Sequence, residues 1–301
     1  MAGPIEQRIH GRRHDLGDGF IVNRVLPSPE GRAVGPFVFM DHLGPVTLAA
    51  GQAFDVRPHP HIGLATVTYL WTGRVEHRDG LGHVQVIEPG AVNWMTAGRG
   101  IVHSERTPAA DRACARTMHG LQLWAALPLD RERCEPAFEH TGAEALPTFD
   151  VDGATLRVVA GHAYGRRSPV TVAGDLFYVD ASLAADAELA LPTEHVQRAA
   201  YVIDGDLRVG AEPLRAGELV IFTPGTDVRL RAGAATHVVL LGGAPLDAPR
   251  FLWWNYVASS EDGLAEARAA WRERRYAMVA GDPESIPLPD PGREAVRMDA
   301  G

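Results

Sequence analysis

Lysine is absent from the 301-residue sequence, so all 29 basic residues are arginines. Acidic residues outnumber them, with 38 Asp and Glu and a formal net charge of -9 at pH 7. A protein that binds nucleic acid by electrostatics usually has a basic stripe and a high pI. We therefore expect no direct binding to nucleic acid.

Cysteine and long apolar runs are also scarce. The two cysteines, Cys114 and Cys134, are too few for a disulfide framework. The N-terminal segment lacks the apolar core of a signal peptide, and no apolar run approaches the length of a membrane span. These absences predict a protein of the reducing cytoplasm that does not enter a membrane.

Several common enzyme signatures are missing as well. The sequence has no Gly-rich phosphate loop between a strand and a helix, and it has no serine nucleophile elbow. Cys114 has no evident base partner in the sequence. The chemistry of this chain must therefore come from other residues.

Short β-rich runs separated by Gly, Pro and Asp make up most of the sequence, for example TVTYLW, HVQVIE, LFYVDAS and ELVIFTP. This spacing is typical of a β-sandwich or barrel. The order strand, Gly turn, strand, turn, strand in residues 68–93 returns in residues 200–222. Such an internal repeat predicts two copies of one β-barrel unit.

One segment, residues 259–275, has the pattern of a helix. Ser259 or Ser260 can cap its N-terminus, acidic residues fill the first turn, and Leu264 and Trp271 recur at helical spacing. The sequence thus predicts an all-β protein with a C-terminal α-helix.

The predicted domains are two barrels in tandem. We expect an N-terminal metal-binding barrel at 1–130, a linker rich in Pro and charge at 131–150, and a C-terminal barrel without a metal site at 151–301. The last of these would end in the helix and an extended tail.

Two pairs of polar residues carry the predicted chemistry. His59 and His61 are two residues apart, and so are His103 and Glu105. On a strand, this spacing places both side chains of a pair on one face. The first pair alone could be two partly exposed histidines beside a proline, but the recurrence of the spacing favours a metal site.

Three imidazoles and one carboxylate suit Fe(II), Mn(II), Ni(II), Cu(II) or Zn(II), and the absence of thiolate disfavours a structural zinc. An octahedral ion would keep two positions open for a substrate oxygen or dioxygen. The predicted site is therefore reactive rather than structural.

Other histidines have weaker patterns. His77, His83 and His119 could orient a ligand ring from outside the metal site, although a hydrogen-bonded structural role is the simpler interpretation. His195 is predicted to be a surface or capping histidine in a barrel that has lost its metal.

Five segments link these residues into a longer pattern: VGPFVFMDH at 34–42, PHPH at 58–61, TVTY at 66–69, VEHRD at 75–79 and WMTAGRGIVHSE at 94–105. Together they resemble the pirin family of the cupin superfamily. The resemblance implies two tandem cupin barrels in one monomer, with one iron in the N-terminal barrel. It also implies that His59, His61, His103 and Glu105 hold this iron.

The resemblance further implies an activity of the quercetin 2,3-dioxygenase type on a small aromatic substrate. A flavonol would bind the metal through its 3-hydroxyl, and Glu105 would serve as ligand and as the base that takes the hydroxyl proton. The alternative is a non-enzymatic iron-binding regulator that acts through a protein partner. Sugar isomerisation is disfavoured because residues 62–65, IGLA, make the mouth of the pocket apolar.

Overall fold

The computed structural model describes residues 3–16, 20–290, 292 and 294–300. Within these ranges, β-strands dominate and there is one α-helix. The predicted all-β class with a C-terminal helix is therefore confirmed. None of the helical segments described is long and apolar enough to cross a membrane.

The strands, in chain order, are β1 (Ile5–His10), β2 (Arg12–Asp15), β3 (Ile21–Leu26), β4 (Phe37–Leu48), β5 (Asp55–His61), β6 (Leu64–Thr72), β7 (Val75–Asp79), β8 (Val84–Ile87), β9 (Val92–Thr96), β10 (Ile101–Arg106), β11 (Arg116–Ala126), β12 (Ala137–Thr141), β13 (Thr148–Val151), β14 (Ala154–Ala163), β15 (Arg166–Arg167), β16 (Leu176–Leu183), β17 (Glu188–Ala190), β18 (Gln197–Asp204), β19 (Leu207–Val209), β20 (Glu212–Leu214), β21 (Glu218–Phe222), β22 (Arg229–Ala232), β23 (Thr236–Gly243), β24 (Arg250–Trp253), β25 (Tyr256–Ala258) and β26 (Val296–Met298). The helix α1 is Glu261–Arg272, and two 3-10 turns are Ala109–Asp111 and Ala143–Ala145.

The chain forms two compact units, each built from separate segments. The first unit comprises residues 1–14, 22–41 and 144–245, and the second unit comprises residues 15–21, 42–143 and 246–301. This division differs from the predicted one, because the C-terminal segment with α1 lies in the unit that contains His59, His61 and His103. The N-terminal strand β1, in turn, pairs with β21 of the first unit.

Apolar burial accounts for both placements. In the second unit, a buried cluster joins Tyr256, Leu264 and Ala267 with the partly buried Ile62. In the first unit, β1 adds Ile9, which is completely buried, to the edge of a sheet. Burying large aliphatic and aromatic side chains stabilises a fold by about 1.5–3 kcal/mol each, which favours these placements.

The first unit contains two antiparallel sheets, ordered β1-β21-β18-β23-β16-β14-β13 and β17-β22-β19-β20. One buried cluster includes Phe177 and Val238 from the first sheet and Leu207 and Leu230 from the second. The two sheets therefore share a hydrophobic core, as expected for a sandwich-like barrel.

The second unit positions the predicted metal ligands. Its sheets are ordered β5-β10-β7-β8 and β12-β9-β6-β11-β4, where β4 enters the unit at His42. A third, small sheet has the order β25-β24-β26. In β6 and β11, the alternate residues Val67, Tyr69, Leu121 and Leu123 are completely buried and form one apolar face of these two strands.

The helix α1 is shorter than the predicted 259–275. The Ser260 side chain accepts a hydrogen bond from the Gly263 backbone N–H at 3.2 Å, which fixes the start of the helix. Beyond it, Trp271 donates from Nε1 to the Ile286 carbonyl at 3.0 Å, so the following segment lies along the helix. Of the predicted tail, Pro291, Arg293 and Gly301 lie outside the described residues.

Candidate metal centre

Neighbouring antiparallel strands bring the three predicted histidine ligands together. His59 and His61 lie on β5, and His103 lies directly opposite His59 on β10. The ligand nitrogens of the three rings lie within 4.8 Å of one another, and all three residues are buried. The spacing of two along each strand and the register between the strands together build this cluster.

Hydrogen bonds determine which nitrogens of His59 and His61 are free. Nδ1 of His59 lies 2.8 Å from the Arg57 carbonyl, and Nδ1 of His61 lies 3.0 Å from the Asn255 carbonyl. A carbonyl only accepts, so both Nδ1 atoms carry the proton and both Nε2 atoms expose a lone pair. These two Nε2 atoms are 3.1 Å apart, and a cation would relieve the repulsion between their lone pairs.

His103 is oriented by a chain of buried groups. Its Nδ1 lies 3.3 Å from Nδ1 of His77, and Nε2 of His77 lies 3.0 Å from the Asp79 carboxylate. The carboxylate accepts from Nε2 of His77, so Nδ1 of His77 is left to accept from Nδ1 of His103. Nε2 of His103 then carries a lone pair, and this buried atom has no hydrogen-bond partner among the described residues.

Asp79 is held in place by further donors. The backbone N–H groups of Leu81 and His83 donate to its Oδ1 at 2.9 and 3.0 Å, and the His83 ring donates from Nδ1. Burial opposes ionisation of Asp79, but the bonds from His77 and the His83 backbone outweigh it, and the pKa of Asp79 is lowered. The carboxylate is therefore charged at neutral pH and acts only as an acceptor.

The three clustered histidines are neutral at pH 7. Burial lowers the pKa of His59 to about 4, and it lowers the pKa of His61 and of His103 well below the usual value. A neutral imidazole is the form that binds a metal. The three Nε2 atoms thus form a preorganised, uncharged donor set that fits a divalent transition metal.

Glu105 is two residues from His103 in the sequence, but its carboxylate does not belong to the histidine cluster in the structure. Opposite the step from His103 to Glu105, β5 has one extra residue between His59 and Val56. The Glu105 carboxylate lies outside the group of atoms within 4.8 Å of one another. Glu105 is buried and accepts a hydrogen bond from Thr68 at 3.2 Å. Burial raises its pKa to about 7, against the smaller effect of the Thr68 bond.

Two contacts around the cluster lack a clear signal in the sequence. Nδ1 of His61 contacts the backbone carbonyl of Asn255, a group that any residue would supply. Asn255 follows Trp254, whose φ of 54° turns the chain. Trp124 packs its ring edge-on to His61 at a centroid distance of 5.0 Å. Of the other predicted histidines, His119 contacts His42, with their Nε2 atoms 2.8 Å apart.

Comparisons with known proteins place this arrangement in a family. A family model for pirin matches residues 19–125, and a model for the pirin C-terminal cupin domain matches residues 178–277. A pirin-like protein of Caulobacter vibrioides is 45% identical over 283 residues, which cover 93% of this chain and 97% of the relative.

Solved structures show the same similarity. The crystal structure of a quercetin 2,3-dioxygenase from Acinetobacter baumannii is 36% identical, with a TM-score of 0.85 and coverage of 96% of this chain and 97% of that one. A bacterial pirin from Escherichia coli, solved in complex with nickel(II), is 19% identical with a TM-score of 0.61, covering 78% of this chain and 96% of its own. These matches confirm the predicted fold of two cupin barrels.

Proposed function

This chain belongs to the pirin family, and we propose that it is a metal-dependent dioxygenase that acts on a flavonol-like aromatic substrate. The observation that carries the proposal is the convergence of three unprotonated Nε2 atoms in one buried cluster. The similarity to a quercetin 2,3-dioxygenase at 36% identity supports the substrate class.

His59, His61 and His103 would hold the metal, and we include Glu105 as the fourth ligand. The donor set suits Fe(II) as well as Mn(II), Ni(II), Cu(II) and Zn(II), and we favour Fe(II) because iron is what the family resemblance implies. A divalent ion bound there supplies a Lewis acid beside the substrate.

The residues of the protein would orient the ligand rings and accept a proton from the substrate. The carbonyls of Arg57 and Asn255 hold two rings so that their Nε2 atoms face inward, and His77 does the same for His103. The buried Glu105 carboxylate, which accepts a hydrogen bond from Thr68 at 3.2 Å, would take the proton of a substrate hydroxyl.

A metal-dependent regulatory protein is the second candidate function. The observation in its favour is burial, because His59, His61 and His103 are only 6%, 1% and 2% exposed. A regulator needs a bound metal but no access for a substrate, so the two functions differ in turnover and not in metal content.

The test is metal analysis of anaerobically purified protein, followed by an absorbance assay of flavonol loss in air. The Fe(II)-loaded wild type should consume the flavonol, and His59→Ala should not. His10→Ala serves as a matched control, because His10 has a side chain that is 72% exposed in the first unit. Stoichiometric metal without turnover would favour the regulator, and turnover by His59→Ala would refute the assigned site.

A further inference from the structure

A second group of potential metal ligands lies in the first unit. It consists of His162 near the end of β14, Asp175 just before β16, and His195 two residues before β18. One ligand atom from each of these residues lies within 4.8 Å of the others. The strands β14 and β16 are directly paired, which fixes the separation of His162 and Asp175.

His195 does not lie on the surface, so that part of the sequence prediction is wrong. Its side chain is 0% exposed and stacks on Phe177 with ring centroids 4.6 Å apart. Nε2 of His195 lies 2.8 Å from the His162 carbonyl and therefore carries a proton. The ring orientation is thus fixed from one side, in the way that outer hydrogen bonds orient metal ligands.

The other nitrogen of His195 faces a carboxylate. Nδ1 lies 3.2 Å from Oδ1 and 3.3 Å from Oδ2 of Asp175. In a neutral ring whose proton is on Nε2, Nδ1 has only a lone pair, and a lone pair against a carboxylate is repulsive. Either a second proton on the buried ring or a cation between the two groups must compensate.

The position of His162 favours a bound cation over a second proton on His195. Its Nε2 lies 3.8 Å from Oδ1 of Asp175, and its ring centroid lies 4.6 Å from that of His195. The side chains of His162 and Asp175 are 33% and 44% exposed, so an ion can reach them from solvent. Two imidazoles and one carboxylate form a recurrent set for divalent transition metals with open positions.

We propose that His162, Asp175 and His195 form a second divalent-metal site, with Nε2 of His162, a carboxylate oxygen of Asp175 and Nδ1 of His195 as ligands. It shares no residue with the histidine cluster of the second unit. The proposal therefore stands independently of the proposed dioxygenase function, and it contradicts the prediction that the C-terminal barrel has no metal site.

The experiment is a titration of metal-free protein with Zn(II), with stoichiometry read by calorimetry and by elemental analysis after desalting. The wild type should bind two equivalents, Asp175→Asn should bind one, and His103→Gln should also bind one. The double variant should bind none. Asp186→Asn is the matched control in the same unit, with a side chain that is 83% exposed, and it should keep two equivalents.

Nitrogen NMR of His195 in the Zn(II)-loaded protein provides an independent readout. The proposal predicts that Nε2 keeps its proton and that Nδ1 is unprotonated and shifted by the metal. A doubly protonated ring in the loaded protein would overturn it, since His195 and Asp175 would then be a simple ion pair. A wild type and an Asp175→Asn variant that bind the same number of equivalents would overturn it as well.

Discussion

Replacing Asp79 with asparagine should weaken metal binding by moving the proton on His103 to the wrong nitrogen. In the wild type, Oδ1 of Asp79 accepts from two backbone N–H groups and Oδ2 accepts from His77. An asparagine has only one oxygen for these two positions. Its oxygen should stay with the two backbone donors, because leaving both unpaired costs about 1–3 kcal/mol for each buried group.

The amide NH2 of the asparagine then faces Nε2 of His77. That nitrogen must accept, so the proton of His77 moves to Nδ1 and points at Nδ1 of His103. His103 responds by carrying its own proton on Nε2, which is the atom that a metal needs as a lone pair. Metal binding must reverse both rings and break one buried hydrogen bond, which costs about 1–3 kcal/mol.

This cost corresponds to an affinity loss of about tenfold to hundredfold. Calorimetry with Zn(II) measures the affinity at the histidine cluster, and nitrogen NMR of the metal-free protein measures the tautomer of His103. Glu88→Gln is the control, because it removes the same charge from a side chain that is 58% exposed in the same unit. It should change the affinity by less than about twofold.

The reasoning would be refuted if Asp79→Asn folded normally, kept the wild-type tautomer of His103 and bound metal with unchanged affinity. An affinity loss with an unchanged tautomer would also contradict it, since the loss would then have another cause. Far-UV circular dichroism and thermal unfolding of the metal-free variants check the fold in each case.

Three further predictions concern Glu105 and the helix. The pKa of Glu105 is about 7 in the metal-free fold and 4.5 as its ordinary value, so the ionisation of Glu105 opposes folding. The contribution of the protonated carboxyl to the free energy of unfolding is complete below pH 4.5 and is lost as the pH rises through 7. Glu105→Gln should therefore stabilise the metal-free protein by about 3 kcal/mol at pH 8 but not at pH 4, as measured by urea unfolding; equal stability at pH 8 would contradict this. If Glu105 is a ligand, its protonation should lower the metal affinity about tenfold per pH unit below pH 7. His59, with a pKa of about 4, stays neutral in this range, and a calorimetric affinity that is constant from pH 5 to 7 would exclude Glu105 as a ligand. Ser260→Ala should cost about 1 kcal/mol by removing the cap of α1, and an unchanged melting temperature would show that the cap is dispensable.

The histidine cluster could be predicted because it depends on a local rule. A spacing of two places His59 and His61 on one face of a strand, and the recurrence of that spacing at His103 indicated a partner strand. The structure confirms the meeting of the three rings. The position of Glu105 was less predictable, because the extra residue lies on the facing strand β5, between Val56 and His59, and the spacing of two on β10 does not reveal it.

The groups that orient the metal-binding rings could also be predicted only in part. His77 and Asp79 have the same spacing of two, and β7 pairs with β10 so that Asp79 lies opposite His103. This pattern could have indicated their role. The Asn255 carbonyl could not be predicted, because a backbone group carries no side-chain signature and the contact spans 194 residues of sequence.

The fold was predictable in its parts but not in the placement of its ends. Short β-rich runs and the internal repeat predicted strands and two barrels from local patterns. Which sheet a terminal strand joins depends on pairing over long separations, as between β1 and β21, and periodicity contains no information on this. The C-terminal helix was therefore predicted as an element, but its unit was not.

The most direct test of the central claim is an anomalous-difference map from crystals loaded anaerobically with Fe(II) and measured at the iron absorption edge. The account predicts a peak in the second unit within bonding distance of Nε2 of His59, His61 and His103. A fully loaded crystal with no peak at the three histidines would contradict it, as would a metal held there through the Nδ1 atoms.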